Sequence, residues 1–222
     1  LHAIGLHRQT LLGSSTGVFV GVTSTEFGQV ARPASVFGIG GVGHCFACGR
    51  ISYACGLMGP CVAVDTACSA ALVACHSASR ALQHEECQRV VLAGVLAMLV
   101  PFVGRLYAAG GLTSKRGRSH TFDVRADGFG RGEACGSAVL RGRAARCAFS
   151  LSGSAVRQDG KSASLTSPNG QAQHALLHAA HVEANESQLG VLEAHGTGTA
   201  LGDPIEAGAF SAVRSKGTVT SL

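Results

Sequence analysis

Residues 61–82 read "CVAVDTACSAALVACHSASRAL", and the position of one cysteine in this stretch decides how the chain is understood. Cys61–Val64 is a short apolar run of the kind that forms a buried strand. Ser69–Leu82 has no Gly or Pro. Its small or apolar residues, Ala70, Ala71, Leu72, Ala74, Cys75 and Ala78, predict a helix. Cys68 therefore falls at the seam, just before or within the first helical turn. Unpaired backbone N–H groups and the positive end of the helix dipole converge there. That setting stabilises a thiolate, the nucleophilic form of cysteine. The bland alternative is a buried structural cysteine, which is what most cysteines are.

The chain has 222 residues, of which 46% are hydrophobic and only 14% charged, against about 25% charged in an average domain. With 31 glycines and no Trp, it needs layered α/β packing or a large subunit interface to hide its backbone. The net charge of +5 is modest, and the arginines of "SKRGRSH" and "RGRAAR" are not interleaved with aromatics. This predicts a mild attraction for acidic partners and no nucleic-acid binding. Nine cysteines, an odd number at irregular spacing, predict free thiols in a reducing intracellular compartment, cytoplasmic or plastid. The N-terminus lacks the long apolar core of a secretory signal and does not start with Met, so a partial sequence is expected. No apolar run approaches the ~20 residues of a membrane span. The stretch "RVVLAGVLAMLVPFVG", broken by Gly and Pro, reads as a buried strand plus a loop.

Strand-like runs cover Thr16–Val22, Cys61–Val64, Arg89–Leu96, Glu133–Leu140, Cys147–Val156 and Gln188–Glu193. Ser35–Leu57 reads as a buried helix with loops. Asn169–Glu186 reads as a helix, and Asp203–Val213 as another with Pro204 in its first turn. Leu112–Gly132 is polar, glycine-rich loop, and Arg141–Arg146 is a basic connector and the candidate domain boundary. The alternation argues for α/β layers with mostly parallel strands.

Several short patterns compete for a function. "GIGGVG" (Gly38–Gly43) matches a dinucleotide-binding G-x-G-x-x-G, and Asp65 follows at a strand end. The approach "FGQVARPAS", with Pro33, is not a strand, so a close-packing glycine turn is the better reading. "CFAC" (Cys45, Cys48) has no second ligand pair at fitting spacing, so no metal site is predicted. His174, His178 and His181 share one helical face without an intervening Glu, which reads as a solvated face. "LEAHGTGTALGDPIEAG" (Leu192–Gly208) differs from these. A short strand ends near His195, Gly196 and Gly198 free the backbone to turn, and Thr197 and Thr199 supply hydroxyls beside the imidazole. Asp203 and Pro204 open the next helix. A histidine on such a loop suits binding or proton handling; the alternative is a capping loop with an incidental His. His76 lies about 12 Å along the helix from Cys68, at 1.5 Å per residue. Any partner for Cys68 must therefore come from a distant segment, and His195 is the best available.

Taken in order, these blocks resemble the β-ketoacyl synthases. "GPCVAVDTACSAALVA" is similar to that family's nucleophile segment, and "EAHGTGTALGDPIEA" to the first of its two histidine motifs. "AAGGLTSKRGRSHTFDVRADGFGRGEACGSAVL" and "GSAVRQDGKSASLTSPNGQAQ" resemble intervening blocks. The wording is closest to ketosynthase domains of polyketide synthases, from about Gly17 to Val213.

The resemblance implies a thiolase-like αβαβα fold, with residues 1–145 as the N-terminal half and residues 146–222 as the start of the C-terminal half. It implies that Cys68 and His195 are catalytic. Cys68 takes an acyl group from a carrier thioester; His195 helps decarboxylate a malonyl-type extender whose enolate attacks the acyl-cysteine. The N–H of Cys68 contributes to an oxyanion hole. Thr197 and Thr199 match residues that hydrogen-bond phosphopantetheine. The implied partners are an acyl carrier protein and, in the full-length parent, a second copy; no cofactor is bound directly. There are departures. The chain stops at "SKGTVTSL" before the family's second histidine motif and its glycine-rich Phe loop, the opening strand is missing, and Arg157 replaces a more usual Asn. The expectation is a partial sequence that can be acylated but cannot condense. The competing class is a catalytically incomplete ketosynthase-like fragment or scaffold subunit.

Overall fold

The computed structural model describes residues 5–23, 26–30, 38–142, 147–185, 190–213 and 218–220. Its elements are α1 (Arg8–Leu11), β1 (Thr16–Val22), α2 (Phe27–Val30), a 3-10 turn (Ile39–Gly41), α3 (His44–Cys55), β2 (Cys61–Val64), α4 (Ala70–Gln83), β3 (Arg89–Leu96), α5 (Pro101–Ala109), β4 (Ala134–Arg141), α6 (Gly170–Ala184), β5 (Val191–Glu193), α7 (Gly202–Val213) and β6 (Thr218–Thr220). They form two compact units, Leu1–Pro101 with Gly132–Ala148, and Phe102–Arg131 with Phe149–Leu222.

The first unit is built on a sheet of order β2-β1-β3-β4. β1 runs parallel to both β2 and β3, while β4 pairs antiparallel with β3, from Arg89 opposite Arg141 to Leu96 opposite Ala134. β1 is buried from Thr16 to Gly21, as a central strand covered on both faces must be. Its alternating side chains split between two cores. Val18 and Val20 pack with Leu11, Cys48, Leu57, Val91 and Ala93 on the α3 side. Phe19 packs with Val90, Cys87, Ala74, Ala78 and Ala81 on the α4 side. The alanines explain the odd composition. Ala70, Ala74, Ala78 and Ala81 form the buried stripe of α4, and so small a stripe lets the helix lie almost on the strands. A Cβ placed at Gly21 would stand 2.5 Å from the Ala70 carbonyl carbon, and one at Gly94 2.8 Å from the Ala71 Cβ.

Two expectations change here. Cys61–Val64 is a strand but not a buried one: Cys61 and Val62 are exposed, because β2 pairs with β1 alone among the described strands. The loop expected after β3 contains α5, with Pro101 at its first position, where a missing N–H does no harm. The approach to α5 is pinned by two carboxylates. Buried Glu26 accepts the N–H groups of Leu99 and Val100 at 2.7 and 2.9 Å, and Glu133 accepts that of Met98 at 2.6 Å.

In the second unit α6 packs on α7, and β5 pairs parallel with β6. α6 starts one residue later than the sequence predicts because Asn169 is its cap. The Asn169 side chain accepts from Gln171 and Ala172 N–H, and Asp159 holds the cap by accepting the Asn169 N–H at 2.9 Å. Residues 186–189, the rest of that predicted helix and the start of the predicted strand at Gln188, lie outside the described residues, as do residues 143–146 of the basic connector and residues 31–37. Cys147–Val156 forms no strand. β-forming residues need a partner edge, and Gly153 instead packs so closely on α6 that a Cβ would meet the Ala180 carbonyl oxygen at 2.6 Å. Among the described residues no helix is long and apolar enough to cross a membrane.

Candidate active site

Cys68 sits in a tight turn between β2 and α4, one residue before the helix cap Ser69, and it is exposed. Local contacts hold the turn. Ala67 N–H donates to Asp65 Oδ1 at 3.0 Å, Ala70 N–H donates to the Ala67 carbonyl at 3.0 Å, and Ser69 Oγ donates to the Thr66 carbonyl at 2.9 Å. Ala67 has φ of 54°, a left-handed conformation that costs a non-glycine residue about 1–2 kcal/mol. The chain thus turns sharply one residue before the thiol and presents it at the amino end of a 14-residue helix. Burial sorts the other thiols. It pushes those of Cys75 and Cys87 up, and the Cys48 thiol is pushed up to about 11 by burial and by Cys61.

The second unit carries His195, Thr197 and Thr199 on one loop between β5 and α7. Gly196 and Gly198 have φ of 56° and 64°, and a Cβ at Gly196 would stand 2.7 Å from Thr121 Cγ2. The sequence pattern assigns Asp203 to opening its own helix. Its carboxylate instead reaches back along the chain. Buried Asp203 accepts Gly198 N–H at 3.0 Å through Oδ1 and Phe122 N–H at 2.7 Å through Oδ2. One turn later, Glu206 accepts His195 N–H at 2.6 Å and Gly196 N–H at 2.9 Å. Thr121 Oγ1 donates to the Gly196 carbonyl at 2.6 Å, and Gly128 N–H to the Gly198 carbonyl at 2.9 Å. Two carboxylates on one helix turn and one loop from residues 121–128 therefore fix the backbone that carries His195. The sequence pattern does not single out Thr121 or Glu206. The available signal was "DPIE", which puts two carboxylates at i and i+3 on one helical face.

Thr197 Oγ1 and Thr199 Oγ1 are 3.1 Å apart, and Thr199 Oγ1 also accepts Gly202 N–H at 3.0 Å. Whichever hydroxyl donates within the pair, one O–H hydrogen remains for a third group.

The rival patterns go elsewhere. "GIGGVG" forms the 3-10 turn and the extended cap of α3 at Gly43. Cys45 is exposed and Cys48 buried, and the expected burial of α3 reduces to Cys48. His174 and His178 stack with ring centroids 6.4 Å apart. His181 departs from the solvated face expected of the three, since its Nδ1 is buried.

The profile described as "Beta-ketoacyl synthase, N-terminal domain" matches residues 1–145, and that of "Beta-ketoacyl synthase, C-terminal domain" matches residues 148–221. The oxazolomycin ketosynthase domain OzmH KS7 of Streptomyces albus JA3453 superposes with a TM-score of 0.88 at 31% identity, over 98% of this chain and 41% of that one. The ketosynthase from module 6 of the Bacillus subtilis 168 bacillaene synthase gives 0.84 at 32% identity, over 98% and 40%. A phenolphthiocerol/phthiocerol polyketide synthase of Mycobacterium tuberculosis (strain ATCC 25618 / H37Rv) is 42% identical over 98% of this chain and 12% of its own length. The "Phthioceranic/hydroxyphthioceranic acid synthase" of Mycobacterium bovis (strain BCG / Pasteur 1173P2) is 39% identical over 94% and 10%. The fold class is the thiolase-like α/β class of ketosynthase domains. The chain belongs to the β-ketoacyl synthase family, and it spans about an eighth of the curated polyketide synthases it matches.

Proposed function

We propose that the protein containing this chain is a condensing acyltransferase of the polyketide-synthase type, with its two ketosynthase halves meeting between residues 145 and 146. The carrying observation is the exposed thiol of Cys68, set on a left-handed turn at the amino end of α4. The Cys68 thiolate attacks the carbonyl of a carrier-bound acyl thioester, the carrier thiolate leaves, and the acyl group is held on Cys68. The carboxylate of a malonyl-type carrier thioester then departs as carbon dioxide. The resulting enolate attacks the acyl carbonyl, and the Cys68 thiolate is released. His195, on its clamped loop, stabilises charge during decarboxylation. The hydroxyl left over from the Thr197–Thr199 pair hydrogen-bonds the phosphopantetheine arm. The partners on this reading are an acyl carrier protein and a second copy of the chain, and no cofactor is bound directly.

The test supplies acyl-carrier thioester to the purified protein and maps the acyl adduct by mass spectrometry. Acylation at Cys68, absent from Cys68→Ala, is the expected result. Stable acylation of another cysteine, with Cys68 unmodified, would overturn the assignment.

A further inference from the structure

Two thiols stand apart from the site described above. Cys48 lies on α3 and is only 2% exposed, whereas Cys61 opens β2 and is exposed. Cys61 stands beside Cys48, close enough to help push the Cys48 thiol up. A second contact fixes the same register: Ser52 Oγ, on α3, donates to Cys61 Sγ at 3.4 Å. Residues four apart share a helix face, so Cys48 and Ser52 present one surface to Cys61. Cys45, the other member of the C-x-x-C, is exposed in the first turn of α3. Its sulfur lies 3.2 Å from where a Gly43 Cβ would stand, and its contact with Cys48 is through its carbonyl oxygen.

We propose that Cys48 and Cys61 are a redox-active thiol pair that closes to a disulfide when hydrogen peroxide reaches the exposed Cys61. In the first step the Cys61 thiolate attacks a peroxide oxygen. A sulfenic acid forms, the O–O bond breaks, and the departing hydroxide takes up the thiol proton as water. In the second step the Cys48 thiolate attacks the Cys61 sulfur. The S–S bond forms, the S–O bond breaks, and a second water leaves with the proton from Cys48. Two thiols are oxidised and one peroxide is reduced. Because the Cys48 thiol is pushed up to about 11, the second step is slow near neutrality. It quickens about tenfold per pH unit as the thiolate fraction rises. Cys61 begins the strand whose far end leads into the Cys68 turn, so a link at Cys61 would bear on the segment that presents that thiol.

The experiment treats the folded protein with hydrogen peroxide at pH 7, 8 and 9, with and without dimedone, and maps unreduced peptides by mass spectrometry. The expected product is a Cys48–Cys61 cross-link whose formation quickens about tenfold per pH unit and which dithiothreitol reverses. Cys45→Ala keeps the link. Cys48→Ala, shown to be folded by circular dichroism, loses it and accumulates dimedone on Cys61. A Cys45–Cys48 disulfide in its place, an unmodified Cys61, or Cys61 sulfenic acid that persists unlinked at pH 9 in the unaltered protein would each overturn the proposal.

Discussion

At the residue scale, burial separates nine thiols that composition alone leaves alike. Cys48, Cys75 and Cys87 have thiols pushed up by burial, and each pKa unit removes about ninety per cent of the thiolate near neutrality. Cys68 is exposed and stands where helix N–H dipoles converge. With limiting iodoacetamide at pH 7.5 or thereabouts, Cys68 is expected to label before the other eight; preferential labelling of Cys45, Cys48 or Cys75, mapped by peptide mass, would contradict this. The left-handed Ala67 next to it was invisible in the sequence, because alanine carries no signature of that conformation.

At the scale of elements, α7 works as a clamp on the loop before it. Hydrogen bonds to a charged acceptor are worth about 1.5–3 kcal/mol each. Asp203→Ala strands two N–H groups that the carboxylate now holds. Amide hydrogen exchange at Gly198 and Phe122 is expected to quicken about ten- to a hundredfold, while exchange in β1 stays unchanged. Glu206→Ala moves the effect to His195 and Gly196. α4 makes a different demand, for closeness. Gly21→Ala drives a methyl into the Ala70 backbone, and overpacking of this kind costs about 1–3 kcal/mol. Urea unfolding is expected to show the loss, and an unchanged midpoint would mean that α4 shifts freely.

For the molecule as a whole, Cys68 belongs to the first unit and His195 to the second. In the complete protein, Cys68→Ala is expected to abolish both acylation and condensation. His195→Ala is expected to leave acyl-Cys68 formation intact while condensation falls about 10²–10⁴-fold. Following acyl-enzyme and β-ketoacyl product in parallel by mass spectrometry separates the two effects. Equal loss of both in His195→Ala would place that residue in folding or acyl transfer.

The sequence by itself determined the strands of the first unit, the helix after Cys68 and the helix after Asp203, because periodicity and Gly or Pro punctuation act over a few residues. It also determined that Cys68 stands at a strand–helix seam and His195 on a glycine-freed loop. Only the tertiary structure decided what holds that loop. The partners of irregular backbone come from far away, as with Thr121 and Gly196, 75 residues apart, and Phe122 and Asp203, 81 apart. It alone decided that Cys147–Val156 finds no partner strand and that β2 is left half-exposed, since an apolar run is buried only where neighbours cover it. It alone set the α3 face of Cys48 and Ser52 beside Cys61, because a helix face meets a strand across space and not along the chain.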